Sequence, residues 1–115
     1  MDKVGRTALH IAADNKLDEV CLAILARSDF KAVNAKEPQG TALCVAAARD
    51  MGAVCQAILA RPDFNEINAR DRYNRTALHL AALHHLEDVC VEILARPDFS
   101  EINLKNKGAG MVTVT

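Results

Sequence analysis

The stretch Thr7-Ala8-Leu9-His10-Ile11-Ala12-Ala13 decides the fold, because its beginning returns twice in this chain of 115 residues. Thr41-Ala42-Leu43-Cys44 follows after 34 residues, and Thr76-Ala77-Leu78-His79 follows after 35 more. Other motifs recur with the same steps; they begin at Ile24, Ile58 and Ile93, and at Asp29, Asp63 and Asp98. Repetition at this period predicts a solenoid, in which each unit buries its apolar face against its neighbours.

Each repeat contains two segments with helical periodicity. The first begins after Thr7, a suitable N-cap because its hydroxyl can accept a hydrogen bond from an unpaired backbone N–H. Leu9, Ala12 and Ala13 then form an apolar face at i, i+3 and i+4. The second segment carries a five-residue apolar stripe, which predicts a helix with that stripe in the core. The stripes are Leu17, Val20, Cys21, Ile24 and Leu25; Met51, Val54, Cys55, Ile58 and Leu59; and Leu86, Val89, Cys90, Ile93 and Leu94.

Charged residues and prolines mark the ends of the second helix. Asp18 and Glu19 at its N-terminus and Arg27 at its C-terminus are placed to suit the helix dipole. The equivalent arginines are Arg61 and Arg96, which are followed by Pro62 and Pro97. Because proline disfavours a helical conformation in the residue before it, the second helix is expected to end at the arginine.

The turns between repeats carry residues that favour tight backbone geometry. Asp71 can hydrogen-bond its own backbone, and Asn74 tolerates a left-handed conformation. Gly5 occupies the equivalent of Asn74 in the first repeat, and the turn Glu37–Thr41 of the second repeat is one residue shorter. We therefore expect exposed turns to project from the stack.

Together these motifs resemble the ankyrin repeat family, whose pattern is Asp-x-x-Gly-x-Thr-Pro/Ala-Leu-His-x-Ala-Ala. The match runs from Asp2 to Ala13 and again from Asp71 to Ala82, and the second repeat departs from it at Cys44. The resemblance implies an all-α solenoid of helix-turn-helix repeats with projecting β-turn fingers. The predicted units of this single repeat domain are repeats 1–35, 36–69 and 70–104, with 105–115 as a partial fourth repeat or C-terminal tail.

The loop after the second helix is longer than is usual in that family. It contains Phe30, Phe64 and Phe99, which are expected to fill the space beneath it as aromatic plugs. Each loop ends at an asparagine expected to bond the backbone: Asn34, Asn68 or Asn103. These residues resemble the ankyrin asparagine that some hydroxylases modify.

The four cysteines are expected to be reduced and structural. Cys21, Cys55 and Cys90 share one position of the core stripe, and stacked helices about 8–10 Å apart hold them too far from one another for disulfides. A reduced set suits an intracellular, cytoplasmic compartment. Cys44 aligns with the first-helix histidines, which leaves zinc as an alternative, but the spacing gives no converging ligand set. We expect no metal, no cofactor and no enzymatic activity, because no catalytic motif is present.

The resemblance implies a protein-binding surface made of the fingers and the ends of the first helices. The candidate protein-binding residues are Lys3, Val4, Arg6, Asp14, Asn15, Gln39, Arg49, Arg72, Tyr73, Arg75, Leu83 and His84. Tyr73 is the chain's only tyrosine and lies between arginines, and both residue types are common interface anchors. Five cations against Asp14 on this face predict a partner segment with acidic character.

Composition narrows the remaining function classes. Lys and Arg number 14 and Asp and Glu 15, and aromatic residues are few, which argues against a nucleic-acid or membrane binder. The leading prediction is a non-catalytic protein–protein interaction module. The alternatives are a regulatory segment of a larger enzyme or channel, and a structural spacer without its own ligand. Because the end repeats carry full apolar stripes, weak self-association through uncapped ends is also expected.

Overall fold

A computed structural model describes residues 6–101, which form three helix pairs stacked in sequence order. The elements are α1 (Ala8–Asp14), α2 (Asp18–Leu25), β1 (Lys36–Glu37), β2 (Gly40–Thr41), α3 (Ala42–Ala48), α4 (Gly52–Leu59), α5 (Ala77–Leu83) and α6 (Glu87–Ala95). The first helices contact one another as α1, α3 and α5, and the second helices as α2, α4 and α6. The predicted helix-turn-helix solenoid is therefore confirmed.

Threonine caps begin the first helix of each repeat, as the sequence predicts. The Thr7 hydroxyl accepts a hydrogen bond from the backbone N–H of His10, and the His10 ring accepts one from the Thr7 backbone N–H at 3.1 Å. Thr76 and His79 repeat the latter bond at 3.1 Å. Cys44 has no ring to return this bond, and its Sγ lies 3.8 Å from the Thr41 hydroxyl instead.

A left-handed residue separates the two helices of every pair. Lys16, Asp50 and His85 have φ values of 58°, 62° and 59°, and all three are exposed. This backbone turn brings the second helix back along the first, so the two apolar faces meet. The core formed in this way is built from small and aliphatic side chains.

The second finger is a short hairpin and the third is a turn. In the second finger, β1 and β2 pair antiparallel, with Lys36 opposite Thr41 and Glu37 opposite Gly40. Gly40 has a φ of 92°, and a Cβ there would lie 2.8 Å from the Cys44 Sγ, so both backbone and space require glycine. Asn74 takes the left-handed conformation predicted for the third finger, with a φ of 64°.

The five-residue stripe is covered most completely in the middle of the stack, where four of its residues are buried and Leu59 is half-buried. In the first repeat Leu17 and Val20 are each 47% exposed, and in the third Leu94 is 44% exposed. The prediction that all stripe residues are buried is therefore wrong at the ends. The physical reason is that some stripe positions face the preceding repeat and others the following one.

The arginines after the second helices join consecutive repeats. Arg61 lies beyond α4 and donates from Nη1 to the Leu25 carbonyl at 2.7 Å and from Nη2 to the Phe30 carbonyl at 2.7 Å, while its guanidinium lies 5.5 Å from the Phe30 ring centroid. Arg96 makes the same contacts with Leu59 and Phe64. We call each set an arginine clamp. The hydrogen bonds of Arg61 and Arg96 thus reach carbonyls of the preceding repeat, a role that the sequence does not predict.

Asparagines reach in the opposite direction. Asn34 donates to the Asp63 carbonyl at 2.8 Å and accepts from the Asn65 backbone N–H at 2.8 Å. Asn68 bonds the next repeat in the same way, and Asn103 lies outside the described residues. The aromatic plug is confirmed most clearly by Phe64, which is 2% exposed beneath the clamp. The long loops are therefore fastened to their neighbours from both sides.

Candidate protein-binding surface

Asp71 organises the third finger. Its Oδ1 accepts hydrogen bonds from the backbone N–H groups of Tyr73 and Arg75, both at 2.9 Å, and its Oδ2 accepts from the Arg75 Nε at 2.9 Å. The Asp71 backbone N–H donates to the Arg75 carbonyl at 2.9 Å. These bonds close the turn around one carboxylate, so the finger is ordered before any partner arrives.

Tyr73 lies at the tip of this finger and is 50% exposed. Its ring centroid is 5.0 Å from the Arg75 guanidinium carbon and 5.8 Å from that of Arg72. Cations at this distance from an aromatic ring are held by the ring quadrupole. Tyr73 is therefore exposed, as the sequence predicts, and the guanidinium groups of two arginines lie near its ring.

The second and third fingers are joined by a backbone hydrogen bond. The Arg72 N–H donates to the Pro38 carbonyl at 2.8 Å. This bond sets Gln39, at the tip of the second finger, beside the third finger, and both fingers then border a common depression.

A pocket of about 190 Å³ opens between these fingers and the first helices. We call it the finger pocket; its lining residues are Gln39, Val45, Ala48, Asp71, Arg72, Tyr73, Arg75 and Leu80. Val45 and Leu80 are 0% and 2% exposed and form an apolar floor, while polar groups form the rim. An apolar pocket with a few convergent polar groups is the usual form of a binding site.

The charge of this face is more balanced than the sequence count suggests. Arg49 and Arg6 both pair with Asp14, and Arg6 also lies 3.4 Å from a carboxylate oxygen of Glu37. Hydrogen bonding from Arg49 lowers the pKa of Asp14 below its usual value, which keeps that carboxyl ionised. Three of the five cations counted from the sequence, Arg6, Arg49 and Arg75, are therefore ion-paired.

Arg72 differs from the other cations of this face. Arg75 is paired with Asp71 at 2.9 Å. Within residues 6–101, Arg72 forms no ion pair, and its side chain is exposed at the finger tip. Any attraction for an acidic partner at the finger pocket is therefore concentrated at this residue.

The predicted site residues divide into three groups. Gln39, Arg72, Tyr73 and Arg75 meet at the finger pocket, while Arg6, Asp14 and Arg49 form a separate ion-pair cluster. The remainder are Asn15, Leu83 and His84, exposed at the ends of α1 and α5, and Lys3 and Val4, which lie outside the described residues.

Sequence reasoning missed the floor of the pocket. Val45 and Leu80 come directly after Cys44 and His79 in the first helices and lie off the Leu-Ala-Ala face that predicts the helix. Their apolar character at the same repeat position, shared with Ile11, was the available signal. Ile11 is 45% exposed, so the position is covered only when a preceding repeat lies beside it.

A larger groove of about 580 Å³ lies at the other edge, between the C-terminal ends of α2 and α4. Its arginines, Arg27 and Arg61, are paired with Asp29 and Asp63. The arginines of this groove are therefore already paired, while Lys31 in its lining forms no ion pair among residues 6–101.

The four cysteines pack in or against the core, and His10 and His79 cap first helices, while His84 and His85 are exposed. Cys21, Cys44 and Cys55 are buried free thiols, and Cys90 is a half-buried one. Burial raises the pKa of Cys44 to about 11 and that of Cys55 to about 12. No group of three or more His, Cys, Asp or Glu residues between positions 6 and 101 is placed to bind a metal ion. In the same part of the chain, no helix is long and apolar enough to span a bilayer.

A family model described as ankyrin repeats, in three copies, matches residues 9–106. No curated protein matches the sequence. The matched span includes both helix layers and the second and third fingers.

Proposed function

Since the chain belongs to the ankyrin repeat family, we propose that it is a non-catalytic interaction module whose partner binds at the finger pocket. Ankyrin repeats are generally protein–protein interaction modules. The observation that carries the proposal is the convergence of Gln39, Tyr73 and Arg75 over the apolar floor of Val45 and Leu80.

The pocket's dimensions and chemistry define the partner segment. A space of about 190 Å³ with an apolar floor accepts one aliphatic side chain. An acidic residue beside that side chain would meet Arg72, which has no ion-pair partner among residues 6–101. The partner is therefore a protein segment with one aliphatic anchor next to an aspartate or glutamate.

The backbone of the third finger is already fixed before a partner binds, which favours affinity for that partner. Asp71 already fixes the backbone at Tyr73 and Arg75, so binding does not have to order the turn. The same segment would bind whether it belongs to another protein or to a larger polypeptide that contains these repeats. Four free thiols support a reducing, intracellular compartment for the module.

A peptide-display library selected on the immobilised chain tests this proposal. We expect selected peptides to share an aliphatic residue beside an acidic one. Replacing Tyr73→Ala should weaken their binding about thirtyfold, which is the effect of losing an interface anchor. Arg72→Glu should weaken it about tenfold by repelling the acidic residue.

Two further variants are controls for this experiment. Tyr73→Phe keeps the ring and should bind nearly as well as the original chain. Lys31→Glu makes the same charge change as Arg72→Glu at an exposed site on the other edge, and should leave binding unchanged. Failure to select any peptide would favour the structural spacer, and peptides indifferent to Tyr73 and Arg72 would reject the finger pocket as the site.

A further inference from the structure

The arginine clamp is built in the same way at both interfaces between repeats. In each case an aspartate two residues later holds the guanidinium through two hydrogen bonds, at 2.9 Å for Arg61 with Asp63 and at 3.0 Å for Arg96 with Asp98. The remaining N–H groups then point at carbonyls of the preceding repeat: those of Leu25, Arg27 and Phe30 for Arg61, and those of Leu59 and Phe64 for Arg96. The clamp is thus a directional contact from one repeat to the end of the one before it.

Arg27 is the equivalent arginine of the first repeat, and it is held in the same way. Its Nε and Nη2 donate to Asp29 at 2.8 and 2.7 Å. Its side chain is 70% exposed, compared with 12% for Arg61 and 23% for Arg96. Among residues 6–101, its guanidinium bonds only Asp29, so the donor group is held in place with its other N–H groups exposed.

Burial at equivalent positions identifies the two faces that repeats present to each other. Val20 is 47% exposed, while Val54 and Val89 are 0% and 2% exposed, so this position faces the preceding repeat. Leu25 is 6% exposed and Leu94 is 44% exposed, so that position faces the following repeat. We call the surface of the first repeat that faces away from the stack the front face; it includes Leu17, Val20 and Arg27. The opposite surface, on the third repeat, is the back face; it includes Cys90, Leu94 and Phe99.

We propose that a second copy of this chain binds head to tail, with the front face of one copy on the back face of the other. Arg27 of one copy donates to the carbonyls of Leu94 and Phe99 of the other and lies over the Phe99 ring. Val20 of one copy then covers Leu94 of the other, at two positions that are buried or half-buried inside the stack. This reproduces across two chains the contact that each chain already makes twice within itself.

The two end faces are complementary to each other, which favours a second copy of this chain over an unrelated partner. The front face supplies a charged donor fixed by Asp29, and the back face supplies the residue types that accept Arg61 and Arg96 internally. The two faces differ, so the interface is heterologous and can extend into chains. Neither face includes a finger-pocket residue, so this inference is independent of the proposed function.

Analytical ultracentrifugation of the full chain tests the proposal. We expect the weight-average mass to rise with concentration over about three decades up to roughly 1 mM. Arg27→Ala should raise the dissociation constant about tenfold or more, because it removes hydrogen bonds between a charged donor and the carbonyls. A mass that stays at that of a single chain throughout would overturn the proposal.

A mixing experiment establishes the direction of the contact. Val20→Asp blocks the front face and Leu94→Lys blocks the back face, and each position is nearly half exposed, so the fold should survive. Each variant alone should be monomeric, while an equimolar mixture should form one-to-one dimers and nothing larger. Circular dichroism of each variant confirms that loss of association is not loss of folding.

Other results of the mixing experiment contradict the proposal. If Leu94→Lys alone dimerises, the contact joins two front faces, and if the mixture stays monomeric, the two faces do not meet. Val91→Lys is the matched control for Leu94→Lys, because Val91 lies on α6 and is 59% exposed. It should associate like the original chain, and so should Arg72→Glu.

Discussion

The first and second repeats have one sequence pattern but different burial. Val54 and Ile58 in the second repeat are 0% exposed, while Val20 is 47% exposed and Ile24 is half-buried. The residue types are the same, so the difference arises from the neighbours. In a stack, each repeat's contribution to stability includes the interface on each side. The second repeat should therefore be more sensitive to mutation than the first.

The largest expected difference is at the shared isoleucine position. Ile58→Ala should lower the free energy of unfolding by about 3–4 kcal/mol, because it leaves a cavity between two repeats. Ile24→Ala should cost about 1–2 kcal/mol, since water can reach part of that site. Urea denaturation measures both values. Equal losses for the two variants would show that position in the stack does not control burial energy.

Cysteine reactivity gives a second comparison, between the second and third repeats. Burial raises the pKa of Cys55 to about 12, so at pH 8 only about one thiol in 10⁴ is ionised. Cys90 occupies the same stripe position but is half-buried. We expect N-ethylmaleimide to modify Cys90 at least about a hundredfold faster, because Cys55 reacts only after opening of the stack. Mass spectrometry of timed samples measures the two rates.

Cys44 is the internal control for this measurement. It is 1% exposed with a pKa of about 11, and should react as slowly as Cys55. If Cys55 and Cys44 were modified as fast as Cys90, the middle of the stack would open as readily as its end.

The repeated pattern made the fold predictable, because Thr7, Leu9 and their copies carry local signals for helix start and core face. The left-handed residue Asn74 was predictable for the same reason. Contacts between repeats were not, since Arg49 pairs with Asp14 and Arg61 binds the Leu25 carbonyl only after stacking brings them together. Periodicity predicts which face of a helix is buried. It does not predict which charged side chain of the next repeat lies close enough to form an ion pair.

In the candidate site too, some residues could be predicted from the sequence and others could be identified only from the structure. Tyr73 and Arg72 could be chosen from the sequence because turn residues at a finger tip are exposed. Val45 and Leu80 could not be assigned to the pocket, since a buried floor depends on how two first helices lie beside each other. Counting charges also overstated the cationic face, because ion pairs with Asp14 and Asp71 neutralise most of it.

The arginine clamp provides the third comparison. Arg61→Ala should lower the free energy of unfolding by about 2 kcal/mol, since it removes charged donors from the Leu25 and Phe30 carbonyls at a site where the side chain is 12% exposed. Arg27→Ala should change it by less than about 0.5 kcal/mol, because an exposed ion pair contributes little. Thermal unfolding at low protein concentration keeps self-association out of the measurement. If Arg27→Ala lowered the free energy of unfolding as much as Arg61→Ala, the stabilising effect of the clamp would not come from its contact with the preceding repeat.

The smallest expected effect is a pH dependence carried by Asp14. Hydrogen bonding from Arg49 of the second repeat lowers the pKa of Asp14 in the folded chain. A carboxyl with a lowered folded-state pKa stabilises the fold above its unfolded pKa, near 3.8, and that stabilisation is lost as the pH falls through the folded value. Its contribution should be below about 1 kcal/mol, because the pair is partly exposed.

Asp29 is the matched control, since its pKa is lowered by Arg27 within the same repeat at a fully exposed site. Urea denaturation at pH 5 and pH 3 should show a smaller loss of stability on acidification for Asp14→Asn than for the original chain. Asp29→Asn should change that loss less, because its ion pair with Arg27 is exposed and screened by solvent. If the two variants behaved alike, the pairing between Arg49 and Asp14 would add nothing to the joining of the first two repeats.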